Sequence, residues 1–255
     1  MSDNIKLLIK KLPFGPGVSL LNYDPETTLF ALNKPEGLRS HPNRPGIDKR
    51  SLLLAPYDLD KECYLCDLAD VGIVPVYLLN RLDAPTSGVI LLCLNIEVVS
   101  VIHKLFKTHK INKMYSALVK GILKIKQGTW RDCLSSRRMG EIVRTQKGGE
   151  RLAQTHFHLI GQDEDLGISL CHLMPITGFT HQLRVQGALH NHPVLGDKTY
   201  GDFSFNKQIQ KITSFKRLFL HSTQIDLSYS FMQKNYNFTA YSPLPKEFAF
   251  IKDLS

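Results

Sequence analysis

An uninterrupted apolar segment near the middle of the chain most constrains what this protein can fold into. Residues 88–94 read GVILLCL and carry no charged side chain. The segment is far shorter than the roughly 20 residues of a membrane-spanning helix, and its length is typical of a strand buried on both faces. Asn95 then provides an N-cap, and apolar residues at helical spacing extend from it to Thr108. The sequence therefore predicts a central strand followed directly by an amphipathic helix.

The remainder of the chain predicts one domain of the α+β class. Its 255 residues are 43% hydrophobic and 22% charged, which excludes a disordered or low-complexity chain. Thr180 is a candidate cap for a second helix, which runs to Leu189. Residues 1–18 predict an N-terminal arm with a short strand or helical turn. Residues 39–75 predict an irregular surface excursion. Further strands are expected at 28–32, 113–119, 168–173, 216–220 and 236–241.

Charge and cysteine content indicate a reduced protein with a possible polyanionic partner. Lysine and arginine number 32 against 23 aspartates and glutamates, a net charge of +9, which favours a polyanion without identifying one. The five cysteines are odd in number and scattered, and the N-terminus lacks the features of a signal peptide, so we expect a cytoplasmic location. Cys63 and Cys66 have the spacing of half a zinc site, but no second pair follows, so we expect no metal.

Two polar segments carry side chains suited to chemistry. Arg81 and Asp83 lie in a turn with Pro and Gly directly before the predicted central strand, where a rigid element can hold a reacting group. The plainer interpretation is a turn-capping carboxylate with a surface ion pair. Residues 177–185 (TGFTHQLRV) place polar and basic side chains at a helix N-terminus, which suits an anionic partner or, equally, a solvated basic face. Tyr115 lies in a third, basic and aromatic segment, where a core position is the ordinary expectation.

Taken together, these segments resemble the pseudouridine synthases of the RluA type. The RLDxxTSG motif is present at 81–88, the KxYxALVxG motif at 113–121 and the TGxTHQLRV motif at 177–185. Three shorter similarities accompany them: NKPEG at 33–37 with His41-Pro42, PVLGD at 193–197 with Tyr200-Gly201, and LFLHS at 218–222. One short motif arises by chance, but six in the same order and spacing do not.

The resemblance implies one catalytic domain at 19–255, with a central mixed, mostly antiparallel sheet flanked by helices and loops. Some relatives carry an N-terminal S4 RNA-binding domain, and an arm of 18 residues is too short to hold one. We therefore expect the catalytic domain itself to recognise the RNA, a structured stem-loop of tRNA or rRNA, by its shape and unstacked bases. We also expect a monomer that does not bind membranes. A faint similarity to the tRNA pseudouridine synthase C subgroup lies at Gly201, Asp202, Asn206 and Arg217.

The family's reaction implies roles for three residues. Members isomerise a uridine in RNA to pseudouridine without a cofactor or metal, and Asp83 matches their essential aspartate nucleophile. A carboxylate can attack either the ribose C1′ or the uracil ring, and these residues fit both. Arg184 matches the basic residue that pairs with the aspartate, and a guanidinium within about 4–6 Å favours an ionised carboxylate. Tyr115 matches the tyrosine that stacks on the target base and helps to move its C5 proton.

Five further residues are expected to bind the RNA. Arg81 matches a residue that fills the place of the flipped-out nucleotide, which offsets part of a flipping cost of about a few kcal/mol. Leu183 is expected to line the pocket beneath the base. Lys34, Lys113 and Lys198 are candidate phosphate contacts, and each is equally consistent with an ordinary surface lysine.

Three departures from the family's motifs leave a second function open. Asn80 stands where histidine is usual, Phe179 where arginine is usual and Gln186 where histidine often follows. They remove basic groups around the site and leave Asp83 and Arg184 in place, so they bear on RNA contacts and target choice rather than on chemistry. The alternative is a non-catalytic RNA-binding or RNA-chaperone protein that retains the fold, and Phe179 is the residue that keeps it open.

Overall fold

The computed structural model describes residues 2–44, 46–139 and 142–249. The α-helices of these residues are α1 (Ser2–Lys11), α2 (Ile96–Lys107), α3 (Gln182–Leu189) and α4 (Phe203–Thr213), with a 3₁₀ turn at Lys246–Phe248. The strands are β1 (Ser19–Tyr23), β2 (Leu29–Lys34), β3 (Tyr57–Asp58), β4 (Cys63–Leu68), β5 (Gly72–Leu78), β6 (Ser87–Cys93), β7 (Asn112–Lys120), β8 (Gln127–Met139), β9 (Ile142–Lys147), β10 (Arg151–Asp163), β11 (Ile168–Pro175), β12 (Leu220–Phe231) and β13 (Lys234–Tyr241).

The contacts group the chain into two compact units. The first comprises the described residues up to Asn112 together with Gln224–Ser242, and the second comprises Lys113–Thr223 together with the described residues from Pro243 on. The chain passes from the second unit back into the first within β12. Helix α1 belongs to the first unit, so the arm predicted at 1–18 does not end at a division between the units. The single catalytic domain at 19–255 stays a prediction.

The first unit is built around β6, all seven residues of which are buried. Antiparallel pairing joins β6 to β2 and β5, β2 to β1, β5 to β4 and β4 to β3, while β13 pairs with β12 from Gln224 onwards. Asn95 caps α2 by accepting a hydrogen bond at Oδ1 from the Glu97 N–H (2.9 Å), and the apolar face of α2 packs into the core that β6 forms. The predicted central strand and the helix after it are confirmed.

The segment 39–75 is not the irregular surface excursion that its polar composition predicts. It forms β3, β4 and the beginning of β5, and it buries Leu52 and Tyr64 completely. Strand β4 (CYLCDL) buries residues on both faces, so the two-residue period that identifies a half-buried strand is absent. The core of the first unit therefore includes a region that local sequence assigns to the surface.

The second unit contains an antiparallel sheet in the order β7, β11, β10, β8 and β9. Strand β7 places Ala117 and Val119 in one apolar cluster and Leu118 in another, and it confirms the strand predicted at 113–119. The strand predicted at 216–220 is wrong, because β12 begins only at Leu220. Antiparallel sheets flanked by separate helices confirm the α+β class, and none of the described helices is long and apolar enough to cross a bilayer.

Candidate active site

Asp83 lies in the turn that leads into β6, the buried central strand of the first unit. The residue is half-buried, and its carbonyl accepts a hydrogen bond from the backbone N–H of Thr86 (2.9 Å), which closes the turn. Gly88 has a φ of 113°, in the region that favours glycine, where the chain enters the strand. The carboxylate predicted to be the nucleophile is thus carried by a tight turn on a rigid element.

The residue before Asp83 is fixed by a buried serine. Ser40 Oγ accepts a hydrogen bond from the Leu82 N–H (2.9 Å) and donates one to the Leu82 carbonyl (2.8 Å). The carbonyl of Ser40 in turn accepts a hydrogen bond from the Tyr64 hydroxyl (2.7 Å). Both backbone polar groups of Leu82 are therefore engaged by one side chain.

Lys34, predicted as a phosphate contact, is completely buried. Its ammonium donates to three backbone carbonyls, those of Pro35 (3.0 Å), Leu38 (2.8 Å) and Ala84 (3.1 Å). The Ala84 carbonyl also accepts from the Gly37 N–H (2.7 Å), so the residue after the predicted nucleophile is held by two donors. An enclosed charge of this kind is not placed to meet an RNA phosphate, and the structure gives Lys34 a supporting position beneath the turn instead.

In the second unit, Arg184 lies on α3, a helix with a strained start. The predicted N-cap, Thr180, is not the cap, because α3 begins after His181, which has a left-handed φ of 58° and makes no side-chain cap hydrogen bond. His181 Nδ1 instead lies 2.9 Å from the hydroxyl oxygen of Tyr200. A left-handed backbone is costly for a residue with a side chain, and such strain is concentrated at functional sites.

Arg184 is buried and forms a forked ion pair with Asp197. Its Nε and Nη2 donate to the two carboxylate oxygens at 2.7 and 2.9 Å, and the two side chains are 6% and 0% exposed. The carboxylate also accepts the N–H groups of Thr199 (2.8 Å) and Tyr200 (3.0 Å). Burial alone would raise the pKa of Asp197, but the hydrogen bonds and charge of Arg184, together with the two backbone N–H groups, outweigh burial and lower the pKa. The fork fixes the plane of the guanidinium through two of its five N–H donors.

Tyr115 and Leu183 belong to one apolar cluster of the second unit. Tyr115, on β7, is half-buried, and Leu183, on α3 next to Arg184, is 6% exposed. A half-buried ring among apolar neighbours can offer one face to a flat ligand. The structure thus places Tyr115, Leu183 and Arg184 in the second unit, whereas Asp83 and Arg81 lie in the first.

The remaining predicted RNA contacts differ in exposure. Arg81 and Lys198 are exposed, as a phosphate or nucleotide contact requires. Lys113 is half-buried, and its ammonium lies beside the turn before α3, since a Cβ added at Gly178 would lie 4.0 Å from Lys113 Nζ. Burial lowers the pKa of Lys113.

The three departures from the family's motifs are accommodated within the structure. Asn80 Oδ1 accepts a hydrogen bond from the Leu91 N–H (2.7 Å), which ties the Asp83 turn to β6. Gln186 is completely buried and hydrogen-bonds through both ends of its amide to strands β8 and β10. The guanidinium of Arg151 lies over the ring of Phe179, with Arg151 Cζ 4.7 Å from the ring centroid. A basic group therefore lies next to residue 179, where arginine is usual in the family.

Sequence reasoning missed three residues that support the predicted site. Asp197 and Tyr200 lie in a stretch similar to the family, but nothing in that stretch indicated that Asp197 would bind Arg184. Ser40 had no signal at all, because a lone serine in a polar segment is indistinguishable from a surface residue.

The Cys63–Cys66 pair, which has the spacing of half a zinc site, lies on β4. Both thiols are buried, and burial raises the pKa of each, to about 12 for Cys66. Within residues 2–44, 46–139 and 142–249, no group of three or more His, Cys, Asp or Glu side chains is arranged to hold a metal ion.

Comparisons with known proteins identify the family. The family model described as RNA pseudouridylate synthase matches residues 28–189, well over half of the chain. The sequence is 33% identical over 213 residues to tRNA pseudouridine synthase C of Yersinia pestis, a match covering 79% of this chain and 78% of that protein. It is 30% identical over 212 residues to tRNA pseudouridine synthase C of Pectobacterium carotovorum subsp. carotovorum, covering 79% of this chain but 53% of that protein. The fold is similar to human RNA Pseudouridylate Synthase Domain Containing 4, with a TM-score of 0.66 at 22% identity over 97% of this chain and 95% of that one.

The matched span includes Asp83, Tyr115 and Arg184, the three residues that the motifs single out for chemistry. The order of the motifs, the α+β fold and the family match agree with one another. The chain belongs to the RNA pseudouridylate synthases of the RluA type, isomerases that convert uridine in RNA to pseudouridine, and within them it is similar to tRNA pseudouridine synthase C.

Proposed function

We propose that this protein isomerises a specific uridine in a structured stem-loop of tRNA or rRNA, with Asp83 as the nucleophile and the target nucleotide flipped out of its stack. The observation that carries the proposal is the placement of Asp83 on a turn hydrogen-bonded on both sides and leading into a completely buried strand. A reacting group held in this way meets the positional tolerance that catalysis requires. The names of the similar Yersinia and Pectobacterium proteins favour tRNA as the substrate class.

The proposed reaction exchanges one bond to the ribose for another. The Asp83 carboxylate attacks at C1′ or at the uracil ring, the N1–C1′ bond breaks, the base turns and the C5–C1′ bond forms. The bond to Asp83 then breaks, which regenerates the free carboxylate. The C5 hydrogen leaves as a proton and N1 gains one, so substrate and product are isomers and no cofactor is consumed. A covalent intermediate divides one difficult step into two easier ones.

Three residues of the second unit supply the other proposed groups. Arg184, oriented by its fork with Asp197, stabilises the ionised nucleophile. Tyr115 stacks on the flipped base and assists the departure of the C5 proton, and Leu183 lines the pocket beneath the base. Stacking on an aromatic face is the usual means by which proteins hold an unstacked base.

Three basic residues contribute the proposed RNA contacts. Arg81 fills the gap left by the flipped nucleotide, and Lys113 and Lys198 contact phosphates, in agreement with a net charge of +9. We propose that the protein acts as a monomer in the cytoplasm. All five of its cysteines are free thiols, as in a reducing compartment.

The test uses bulk tRNA and rRNA labelled with tritium at uridine C5. Formation of pseudouridine displaces that hydrogen, so tritium released to water measures turnover before the modified site is known. We expect release by the wild type from at least one RNA class, and none by Asp83→Asn, which keeps the size of the side chain and loses the charged nucleophile. Asp70→Asn, at an exposed carboxylate, is the matched control and is expected to retain turnover.

Turnover by the Asp83→Asn variant would contradict the assignment of the nucleophile. If the wild type releases tritium from neither RNA while wild type and variant bind RNA equally, the enzymatic proposal is overturned in favour of the non-catalytic RNA-binding protein that Phe179 leaves open.

A further inference from the structure

Ser40 makes an uncommon pair of hydrogen bonds beside the predicted nucleophile. The residue is 5% exposed, and its hydroxyl binds both the N–H and the carbonyl of Leu82, at 2.9 and 2.8 Å. The Leu82 N–H belongs to the peptide group before Leu82, and its carbonyl belongs to the peptide group that precedes Asp83. One side chain therefore fixes two consecutive peptide planes, the second of which sets the direction of the Cα–Cβ bond of Asp83.

Ser40 is itself held from behind. The Tyr64 hydroxyl donates a hydrogen bond to the Ser40 carbonyl (2.7 Å), and Tyr64 is completely buried on β4. Burial raises the pKa of Tyr64, so the hydroxyl keeps the proton that it donates. A chain of hydrogen bonds thus runs from the middle of β4 through Ser40 to the turn that carries Asp83.

The arrangement matters because reaction rates are sensitive to small displacements. A misplacement of about 1 Å by a change away from the chemistry can cost roughly 10²-fold in rate. Removal of the Ser40 hydroxyl leaves two buried backbone groups of Leu82 without that partner, and the turn relaxes to satisfy them elsewhere. Lys34 and Gly37 hold the far side of the turn, at the Ala84 carbonyl, and these two contacts do not act on the peptide plane before Asp83.

We propose that Ser40, braced by Tyr64, is a positioning residue that sets the orientation of the Asp83 carboxylate for attack. Positioning is then the contribution that the segment 39–75 makes to catalysis, a segment whose composition alone indicates a plain surface excursion. The inference rests on the proposed function of Asp83. It predicts a defect in the chemical step rather than in RNA binding.

The experiment measures tritium release in single turnovers, with enzyme in excess over C5-labelled RNA, alongside RNA Kd and thermal unfolding. Ser40→Ala is expected to lower the rate of release by about 10- to 100-fold, with Kd unchanged within about twofold. Ser40→Thr, which restores the hydroxyl, is expected to recover most of the rate. Ser222→Ala is the matched control, because Ser222 is also buried and its hydroxyl has no hydrogen-bond partner in the part of the chain that the structure describes.

A second variant keeps the inference testable if Ser40→Ala does not fold. Tyr64→Phe retains the Ser40 hydroxyl and removes only its brace, and a smaller reduction in rate, of about two- to tenfold, is expected from the loss of one buried hydrogen bond. Wild-type rates in folded Ser40→Ala, or in folded Tyr64→Phe where Ser40→Ala is unfolded, would overturn the inference while the proposed function stands. A silent wild type would overturn the proposed function, and the inference with it.

Discussion

The two groups predicted to take part directly in the reaction are held in opposite ways. Around Asp83, in the first unit, the hydrogen bonds from Ser40 and Lys34 act on the backbone of the neighbouring residues. Around Arg184, in the second unit, Asp197 grips the guanidinium itself in a buried fork. The described contacts thus act on the backbone on either side of Asp83 and on the side chain of Arg184.

The two arrangements also differ in how much free energy depends on them. A typical hydrogen bond contributes about 0.5–1.5 kcal/mol net to stability, and the clamp at Leu82 consists of two neutral ones. Removal of one partner from a buried ion pair costs about 3–5 kcal/mol, since the other charge is left in a site of low polarity. Changes at the Asp83 turn should therefore affect rate more than stability, and changes at the Arg184 fork should affect both.

The largest predicted effect on stability follows from Asp197→Ala. Removal of the carboxylate that binds Arg184 is expected to lower the free energy of unfolding by about 3–5 kcal/mol, measured by urea denaturation at pH 7. Asp70→Ala is the control, because Asp70 pairs with Lys11 at a similar distance of 2.6 Å on the surface, where no measurable change is expected. Equal losses in the two variants would show that burial adds nothing to the stability contributed by the Arg184–Asp197 pair.

A second prediction concerns acid. The pKa of Asp197 is lowered in the folded protein, so the unfolded chain takes up the proton more readily. The stability that this carboxylate contributes is therefore present above its unfolded pKa of about 3.9 and is lost as the pH falls through the folded value. The difference in urea midpoint between the wild type and Asp197→Asn should shrink as the pH is lowered from 5 towards 3. A difference that is constant over this range would contradict the assignment.

Local patterns in the sequence identify the elements whose packing is local. The continuous apolar run of β6, strand β7 and the capped helix α2 were all predicted, because each has a regular apolar pattern within its own sequence. Strand β8 buries Trp130 and Leu134, but no regular apolar pattern in the sequence marks β8 or β9. Arg137 lies directly opposite Arg144 in their pairing. Strand β4 is buried on both faces, as β6 is, but Asp67 interrupts its apolar run, so the run does not identify it as a strand.

The residues of the candidate site also differ in whether local sequence could predict them. Asp83 and Arg184 were predicted because the motifs that contain them are contiguous. Ser40 lies 42 residues from Leu82 in the chain, and Asp197 lies 13 residues from Arg184 beyond the end of its helix, so neither contact has a local period to indicate it. The burial of Lys34 was missed for a related reason, since a lysine at the end of a strand is expected to be exposed until its three carbonyl partners are known.

The smallest predicted effect on stability is that of Lys113→Met, a substitution that is expected to change stability and RNA binding in opposite directions. Burial lowers the pKa of Lys113, so the charged form carries a cost in the folded protein that disappears as the pH rises from the lowered pKa towards about 10.4. Lys113→Met keeps the apolar stem and removes the charge. We expect a rise in Tm at pH 7 of at most about 2–4 °C, which for a chain of this size corresponds to roughly 1 kcal/mol.

The same substitution should weaken RNA binding in a salt-dependent way. Loss of one phosphate contact is expected to reduce the slope of log K against log salt by roughly 0.7–0.9. Lys198→Met is the matched control: it also removes one proposed phosphate contact, but from an exposed position, so its slope should fall while its Tm stays unchanged. A lower Tm for Lys113→Met, or an unaltered salt slope, would show that the half-buried ammonium is a structural group like Lys34. A higher Tm together with a reduced slope of log K against log salt would show that the Lys113 charge lowers the stability of the fold and strengthens RNA binding.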